Sequence, residues 1–215
     1  MTLAQRQTYA DVAAHFDKQA ARYEVGCGKV QWEGPQVLVR QLRLFTPIER
    51  PLVVVDFGTG TGQIGEIFKA ANNNTHVTGI DISPKMIEEA INRNRIDTGI
   101  VGDITQLKYI DDNSVDAFTS SGVLDFIPDT EQLASEIIRI VRPGGHFALT
   151  YEPEGTEHDG ASTLQHNPLK LRQQFELRGG RVLAQGEAPA IYTNFITKTP
   201  VTNHFIVGSV PAQEL

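Results

Sequence analysis

Short apolar runs rich in β-branched residues alternate along this chain with segments whose apolar residues recur every three or four positions, the patterns of strands and helices respectively. Pro51 to Val55 reads as a parallel strand covered on both faces, closed by Asp56, and Ile64, Ile67 and Phe68 follow with helical spacing. HVTGIDI reads as a second strand. Behind it Ser83 is placed as N-cap and Pro84 as first helical residue, leading Met86, Ile87, Ala90 and Ile91 onto one face. VDAFTSS reads as a further strand; Asp129 then opens a helix, with Gln132 placed for a capping box and Leu133, Ile137, Ile140 and Val141 as its apolar stripe. That helix is expected to end at a tight turn, Pro143-Gly144-Gly145, before a fifth strand.

The ends of the chain differ. Tyr9, Val12, Ala13, Phe16, Ala20 and Tyr23 lie close to one helical face, predicting helix over Ala4 to Tyr23 with an interruption near Phe16 and Asp17. Gly34-Pro35 opens another helix, with Val37, Leu38 and Leu42 facing the sheet. Beyond Pro153 the periodicity stops: Glu154 to Pro168 reads as a long loop, Lys170 to Leu177 as a short helix, and RVLAQGEAPAIY and NHFIVGSVP as two strands joined through Tyr192 to Thr202. The whole predicts an α/β fold, a Rossmann-like doubly wound and mostly parallel sheet, in which ligands sit beyond the carboxyl ends of the strands. No Pro/Gly/Ser-rich linker or repeat divides the 215 residues, so one domain is expected: a helical extension over 1–45, a core over 51–152, and a loop, helix and closing strands over 153–215.

Charge and cysteine content then remove whole classes of function. A net charge of −7 argues against nucleic acid and anionic membrane as partners, since phosphate binding needs a basic patch. There is neither an uninterrupted apolar run of membrane-spanning length nor a leader-like N-terminus, so a soluble cytoplasmic protein is expected, monomer or homodimer. Cys27 is the only cysteine, which excludes an internal disulfide and a cysteine metal cluster. No grouping of acids and histidines in the sequence marks a divalent metal site, and no metal is expected.

The most specific feature is the turn after the first strand. Gly58, Gly60 and Gly62 alternate, as a backbone needs if it must turn sharply and let a ligand approach closer than any Cβ permits, and a helix start follows to point free N–H groups into the turn. Two cofactor classes fit. Gly60, Gly62 and Gly65 spell GxGxxG with Asp81 about 20 residues beyond, as in a dinucleotide site, which leaves an NAD(P)-dependent oxidoreductase open. The whole string DFGTGTG, however, resembles the first motif of the class I S-adenosylmethionine-dependent methyltransferases. HVTGIDISPKMIEEA, VGDITQL, VDAFTSSGVLDFIPD and IIRIVRPGGHFALTYEP continue the resemblance in order. The stretch YADVAAHFDKQAARYE resembles the N-terminal signature of the quinone- and biotin-biosynthesis-like branch that acts on small molecules.

The resemblance implies a seven-stranded sheet with an antiparallel last strand, an N-terminal helical lid, and S-adenosylmethionine as cofactor with S-adenosylhomocysteine as product. It implies cofactor contacts from Tyr23, from the turn residues Asp56, Gly58, Thr59, Gly60 and Gly62, from Asp81 to the ribose hydroxyls with Ile82 beside it, from Asp103 to the adenine amino group with Ile104 next to it, and from Ser120. Phe16 and Tyr23 are expected near the methionine end. The acceptor is expected to be a small molecule, since the Asp/Asn-Pro-Pro-Tyr of amide and base-amine methyltransferases is replaced here by Ser120-Ser121-Gly122-Val123, and a Pro-Cys nucleophile is absent. A general base must lie within hydrogen-bond reach of the acceptor. The segments leaving strands four and five offer Ser120, Ser121, Asp125, Tyr151, Glu152, His158 and Asp159, with Glu152, His158 and Tyr192 the foremost candidates; Asn194 is a further candidate lining residue. A non-catalytic relative that retains the cofactor site is the remaining alternative.

Overall fold

In a computed structural model of the chain, residues 8–103, 107–156, 164–188, 192–193 and 200–212 are described. Seven strands form one sheet: β1 (Val53–Phe57), β2 (His76–Asp81), β3 (Thr98–Val101), β4 (Val115–Ser120), β5 (Val141–Tyr151), β6 (Arg181–Glu187) and β9 (His204–Ser209), in the order β3-β2-β1-β4-β5-β9-β6. The first five pair in parallel, and β9 runs antiparallel between β5 and β6. This is the expected doubly wound sheet with its single reversed strand. A small hairpin of β7 (Tyr192–Thr193) and β8 (Pro200–Val201) stands apart, within the stretch read as a plain connection.

Side chains alternate across the sheet, as the two-residue period of strands requires. Val55 and Phe57 of β1 join Phe118, Phe147 and Ile137 in one buried cluster, whereas Val54 between them joins Leu38, Ile64 and Phe68 in the other. Helices cover both faces: α3 (Gly34–Leu42), α4 (Gln63–Ala71) and α5 (Pro84–Asn92) contribute to the second cluster, and α6 (Thr130–Ile140) and α7 (Pro168–Glu176) to the first. The Phe147 and Phe175 rings stack at 4.3 Å, clamping α7 to the sheet.

Local caps explain several boundaries. Ser83 accepts from Met86 N with Pro84 at the first position, Asp129 accepts from Gln132 N, and Asn167 accepts from Lys170 N. Three boundaries depart from expectation. Asp56 lies inside β1 rather than after it, because pairing with β2 and β4 continues to Phe57. The N-terminal helix is not interrupted at Phe16 and Asp17: α1 (Tyr9–Gln19) runs through them, a 3₁₀ turn covers Ala20–Arg22, and α2 continues as Tyr23–Val30. Pro143-Gly144-Gly145 does not separate helix from strand either. β5 begins at Val141, directly after α6, and the glycines form an irregularity within the strand, with Gly144 at φ +79° and its N–H donated to Val210 O at 2.7 Å.

Candidate functional site

The carboxyl ends of β1, β2 and β4 converge with the N-terminal helices on one cavity, lined by Tyr9, Phe16, Tyr23, Gly60, Asp81 and Ile82 and closed by Met86, Val123, Phe126 and Ile127. The glycine turn forms its floor. Gly58, Gly60 and Gly62 all have positive φ (64°, 52° and 82°), the left-handed region that side chains resist. Their surroundings differ, however. A Cβ at Gly58 would lie 2.1 Å from Val123 and one at Gly62 2.7 Å from Arg95, so both permit packing of protein on protein. A Cβ at Gly60 would meet nothing nearer than Tyr23 at 3.8 Å, so at this position of the turn a side chain would have open space rather than protein around it. Gly65 serves helix–strand packing, since a Cβ there would fall 2.2 Å from the Arg95 carbonyl.

Two buried carboxylates hold this end together in different ways. Asp56 accepts from the hydroxyls of Thr59 (2.7 Å) and Thr119 (2.8 Å), tying the turn to β4, and burial pushes its carboxyl up to about 7. Asp81, at the end of β2, accepts from Gly60 N and Ser83 N, both at 2.9 Å. Burial raises its pKa, and these N–H groups oppose the shift. Gly60 N thus serves one Asp81 oxygen and Ser83 N the other, with the Ile82 N–H also directed at the carboxylate, in a residue that lines the cavity.

The N-terminal helices close over the turn. Phe16 meets Tyr23 at 6.4 Å and Phe126 at 5.8 Å, edge on, while burial raises the Tyr23 phenol. Asp17 accepts from Ser83 Oγ at 2.5 Å and from Lys85 N at 3.2 Å, joining α1 to the start of α5. Glu24 accepts from Thr61 Oγ1 at 3.0 Å and pairs with Arg95, joining α2 to the turn. Nothing in the local sequence marks Asp17 or Glu24, whose partners lie more than sixty residues away in three of these four contacts.

The other expected positions are dispersed. Asp103 follows β3 and sits near Tyr9 and Tyr109, where its charge adds to burial in raising both phenols. Ser120 ends β4 fully buried, its Oγ without a hydrogen-bond partner, while its neighbour Ser121 lines the cavity. Glu152, just beyond β5, is buried and accepts from Gln165 Nε2 at 3.0 Å. Ile104, His158, Asp159 and Asn194 lie outside the described residues; Tyr192 lies in β7, but its side chain is outside them too. Tyr9, Met86 and Phe126 were not singled out as cavity residues in the sequence, because apolar walls share the pattern of a core. Among the described residues no group of three His, Cys, Asp or Glu is placed to hold a metal ion, and no helix is long and apolar enough to cross a membrane.

Comparison with known proteins agrees with this arrangement. Residues 55–149 match the family described as a methyltransferase domain. A ubiquinone/menaquinone biosynthesis C-methyltransferase of Brucella suis is 31% identical over 147 residues, 61% of this chain and 52% of that protein. Among solved structures, the putative methyltransferase in complex with the Trm112 activator of Haloferax volcanii superposes with TM-score 0.71 at 24% identity, covering 91% of this chain and 97% of that one. A magnesium protoporphyrin IX methyltransferase from Synechocystis, solved with S-adenosylmethionine bound, gives 0.58 at 20% identity, over 75% of this chain and 71% of that one. The chain spans about half or less of the length of the curated relatives first matched. The nicotinamide alternative finds no support in these comparisons.

Proposed function

We propose that the chain is a class I S-adenosylmethionine-dependent methyltransferase that transfers a methyl group from that cofactor to a small molecule, and that its 215 residues act as one domain: lid over 1–45, core over 51–152, closing elements over 153–215. The observation that carries this reading is the pairing of Asp81 with Gly60. A buried carboxylate, bound to the turn through Gly60 N and itself lining the cavity, stands beside bare backbone at the strand ends where α/β folds bind ligands. That donor set suits a vicinal diol such as a ribose, and Met86, Phe126 and Ile127 suit an apolar ring and a sulfonium's alkyl arms.

The cofactor, when bound, supplies a methyl already activated by a sulfonium, so the chain's own part is binding, alignment and exclusion of water. Asp81 would accept from the ribose hydroxyls, with Ile82 packing beside them. Gly60 would let the ligand approach its backbone, with Thr59 and Asp56 holding the turn in shape. Phe16 and Tyr23 would cover the reacting end, and Asp103 and Ile104 would stand at the adenine end. Small-molecule methylation is favoured over nucleic-acid methylation by the net charge of −7.

Thermal unfolding with S-adenosylmethionine, S-adenosylhomocysteine, NAD and NADP in parallel tests the reading. At ~100 times its dissociation constant a ligand adds ~2.7 kcal/mol to stability. The two adenosyl ligands are expected to do so and the nicotinamide ligands are not; the reverse pattern would overturn the proposal. Methyl transfer from labelled cofactor into a panel of small acceptors then separates an enzyme from a non-catalytic relative.

A further inference from the structure

A second cavity, of about 330 Å³, shares Tyr23 and Gly122 with the first and is completed by Cys27, Val30, Trp32, Asp125 and Asn203. Its chemistry is set by one group. Asp125 lies in the 3₁₀ turn Leu124–Phe126, which is stitched to the segment beyond β5: Leu164 N donates to Asp125 O at 2.9 Å, and the His166 ring meets Leu124 O at 2.8 Å. The turn therefore holds Asp125 in a fixed position. Its carboxyl receives the backbone N–H of Glu152, yet its Oδ1 is out of contact with solvent and has no hydrogen-bond partner.

The charge around Asp125 makes this more than an unsatisfied atom. Burial, and after it the like charge of Glu152, push the Asp125 carboxyl up to about 7. Among the described residues no Lys, Arg or His pairs with it. A carboxylate left in this state costs stability, and a positive charge in the adjoining cavity relieves it without having to reach the enclosed Oδ1. A neutral hydroxyl would leave the charge uncompensated, and an anion would add a third negative group. A cation compensates it. The ring of Trp32, packed so closely over Gly122 that a Cβ there would stand 3.1 Å from it, adds an aromatic wall of the kind that attracts ammonium groups.

We propose that this second cavity is the acceptor pocket and that it takes small molecules bearing a protonated amine, held by Asp125 beside Trp32. The assignment rests on the methyltransferase reading in one respect: it is sharing Tyr23 and Gly122 with the cofactor cavity that makes this cavity an acceptor site. Asp125 is then the residue that selects an amine over an isosteric alcohol or acid.

Trp32 is the chain's single tryptophan, so its fluorescence and its indole N–H signal report directly on this cavity. Benzylamine, benzyl alcohol and benzoate are titrated against the full chain saturated with S-adenosylhomocysteine, in wild type, Asp125→Asn and Asp125→Glu. Benzylamine is expected to bind about 10-fold or more tighter than the alcohol, as hydrogen bonding to a charged group provides, with benzoate weakest. Asp125→Asn is expected to erase that preference while leaving alcohol binding and S-adenosylhomocysteine affinity unchanged, and Asp125→Glu to restore part of it. Equal binding of the three probes, preference for benzoate, or an amine preference that survives in Asp125→Asn would overturn the proposal. Failure of S-adenosylhomocysteine to bind wild type would instead sink the methyltransferase reading, and it is measured in a separate titration.

Discussion

The two ends of the site are built by opposite strategies. At the β1–β2 end the groups that face the cavity are backbone or are held by backbone: Gly60 presents its main chain, and Asp81 is fixed by the Gly60 and Ser83 N–H groups. At the β4–β5 end the groups are side chains from remote segments, with Trp32, Asp125 and Asn203 brought together by the fold and Asp125 left partly unsatisfied. A cofactor common to a family can be met by a fixed main-chain cradle, while an acceptor that differs from one relative to the next is met by replaceable side chains.

The contrast breaks most sharply at the glycines. Gly65→Val drives a side chain into the Arg95 carbonyl, 2.2 Å from the new Cβ, and is expected to cost about 3 kcal/mol or more of stability in a denaturant melt. Gly60→Val has room on the protein side and costs only the left-handed backbone penalty of about 1–2 kcal/mol. It is nevertheless expected to abolish S-adenosylhomocysteine binding by calorimetry, because its side chain occupies the cavity. Normal affinity in a folded Gly60→Val protein would remove the turn from the site. Asp81→Ala is expected to weaken the same ligand by roughly 1.5–3 kcal/mol with the fold intact.

These glycines also show what a sequence discloses and what it withholds. Alternating glycines after an apolar run signal a turn with positive φ, and an acid about 20 residues on is a candidate ligand group; both are visible locally, whereas the bond from Gly60 N to Asp81 that joins them is not. That Gly58 and Gly62 make room for Val123 and Arg95, while Gly60 has open space around it, depends on residues from other segments. Pro143-Gly144-Gly145 reads as a helix stop for the same local reason, yet pairing with Val115 of β4 draws Val141 into the strand. The acceptor end is harder still. Asp125 was one acid among several in the segments leaving strands four and five, and nothing in the spacing of Trp32 or Asn203 relates either residue to it.

The two buried acids sharpen the comparison through pH. Asp56 and Asp125 both have folded-state values near 7, above the ordinary carboxylate value of about 4. Between those values the folded chain holds protons that the unfolded chain has released, so the stability tied to each group is full below pH ~4 and is lost as pH rises toward ~7. The loss is at most about 1.4 kcal/mol per pH unit per group. Asp125→Asn is expected to flatten the fall in melting stability between pH 4 and 8, gaining on wild type at the alkaline end and not at the acid end. Asp56→Asn is expected to gain less, because two threonine hydroxyls already donate to that carboxylate. Equal gains would mean that Asp125 has a compensating partner in solution and that the two ends are alike.

The smallest effect concerns what joins the ends, the lid. α1 is well formed by itself, opened by a reciprocal capping box between Thr8 and Asp11, yet none of its residues is buried. Its attachment to the core therefore leans on the edge contact of Phe16 with Phe126 and on a few polar contacts, chief among them Asp17 with Ser83 Oγ and Lys85 N. Because Ser83 also caps α5 and donates its N–H to Asp81, the contact from α1 and the buried acid of β2 meet at one residue. Asp17→Ala is expected to cost about 0.5–1.5 kcal/mol, seen as faster amide exchange over α1 and α2 with the sheet unchanged. If the lid closes on the cofactor, saturating S-adenosylhomocysteine restores much of that protection; exchange that is indifferent to ligand would make α1 and α2 packing on the fold rather than a moving cover.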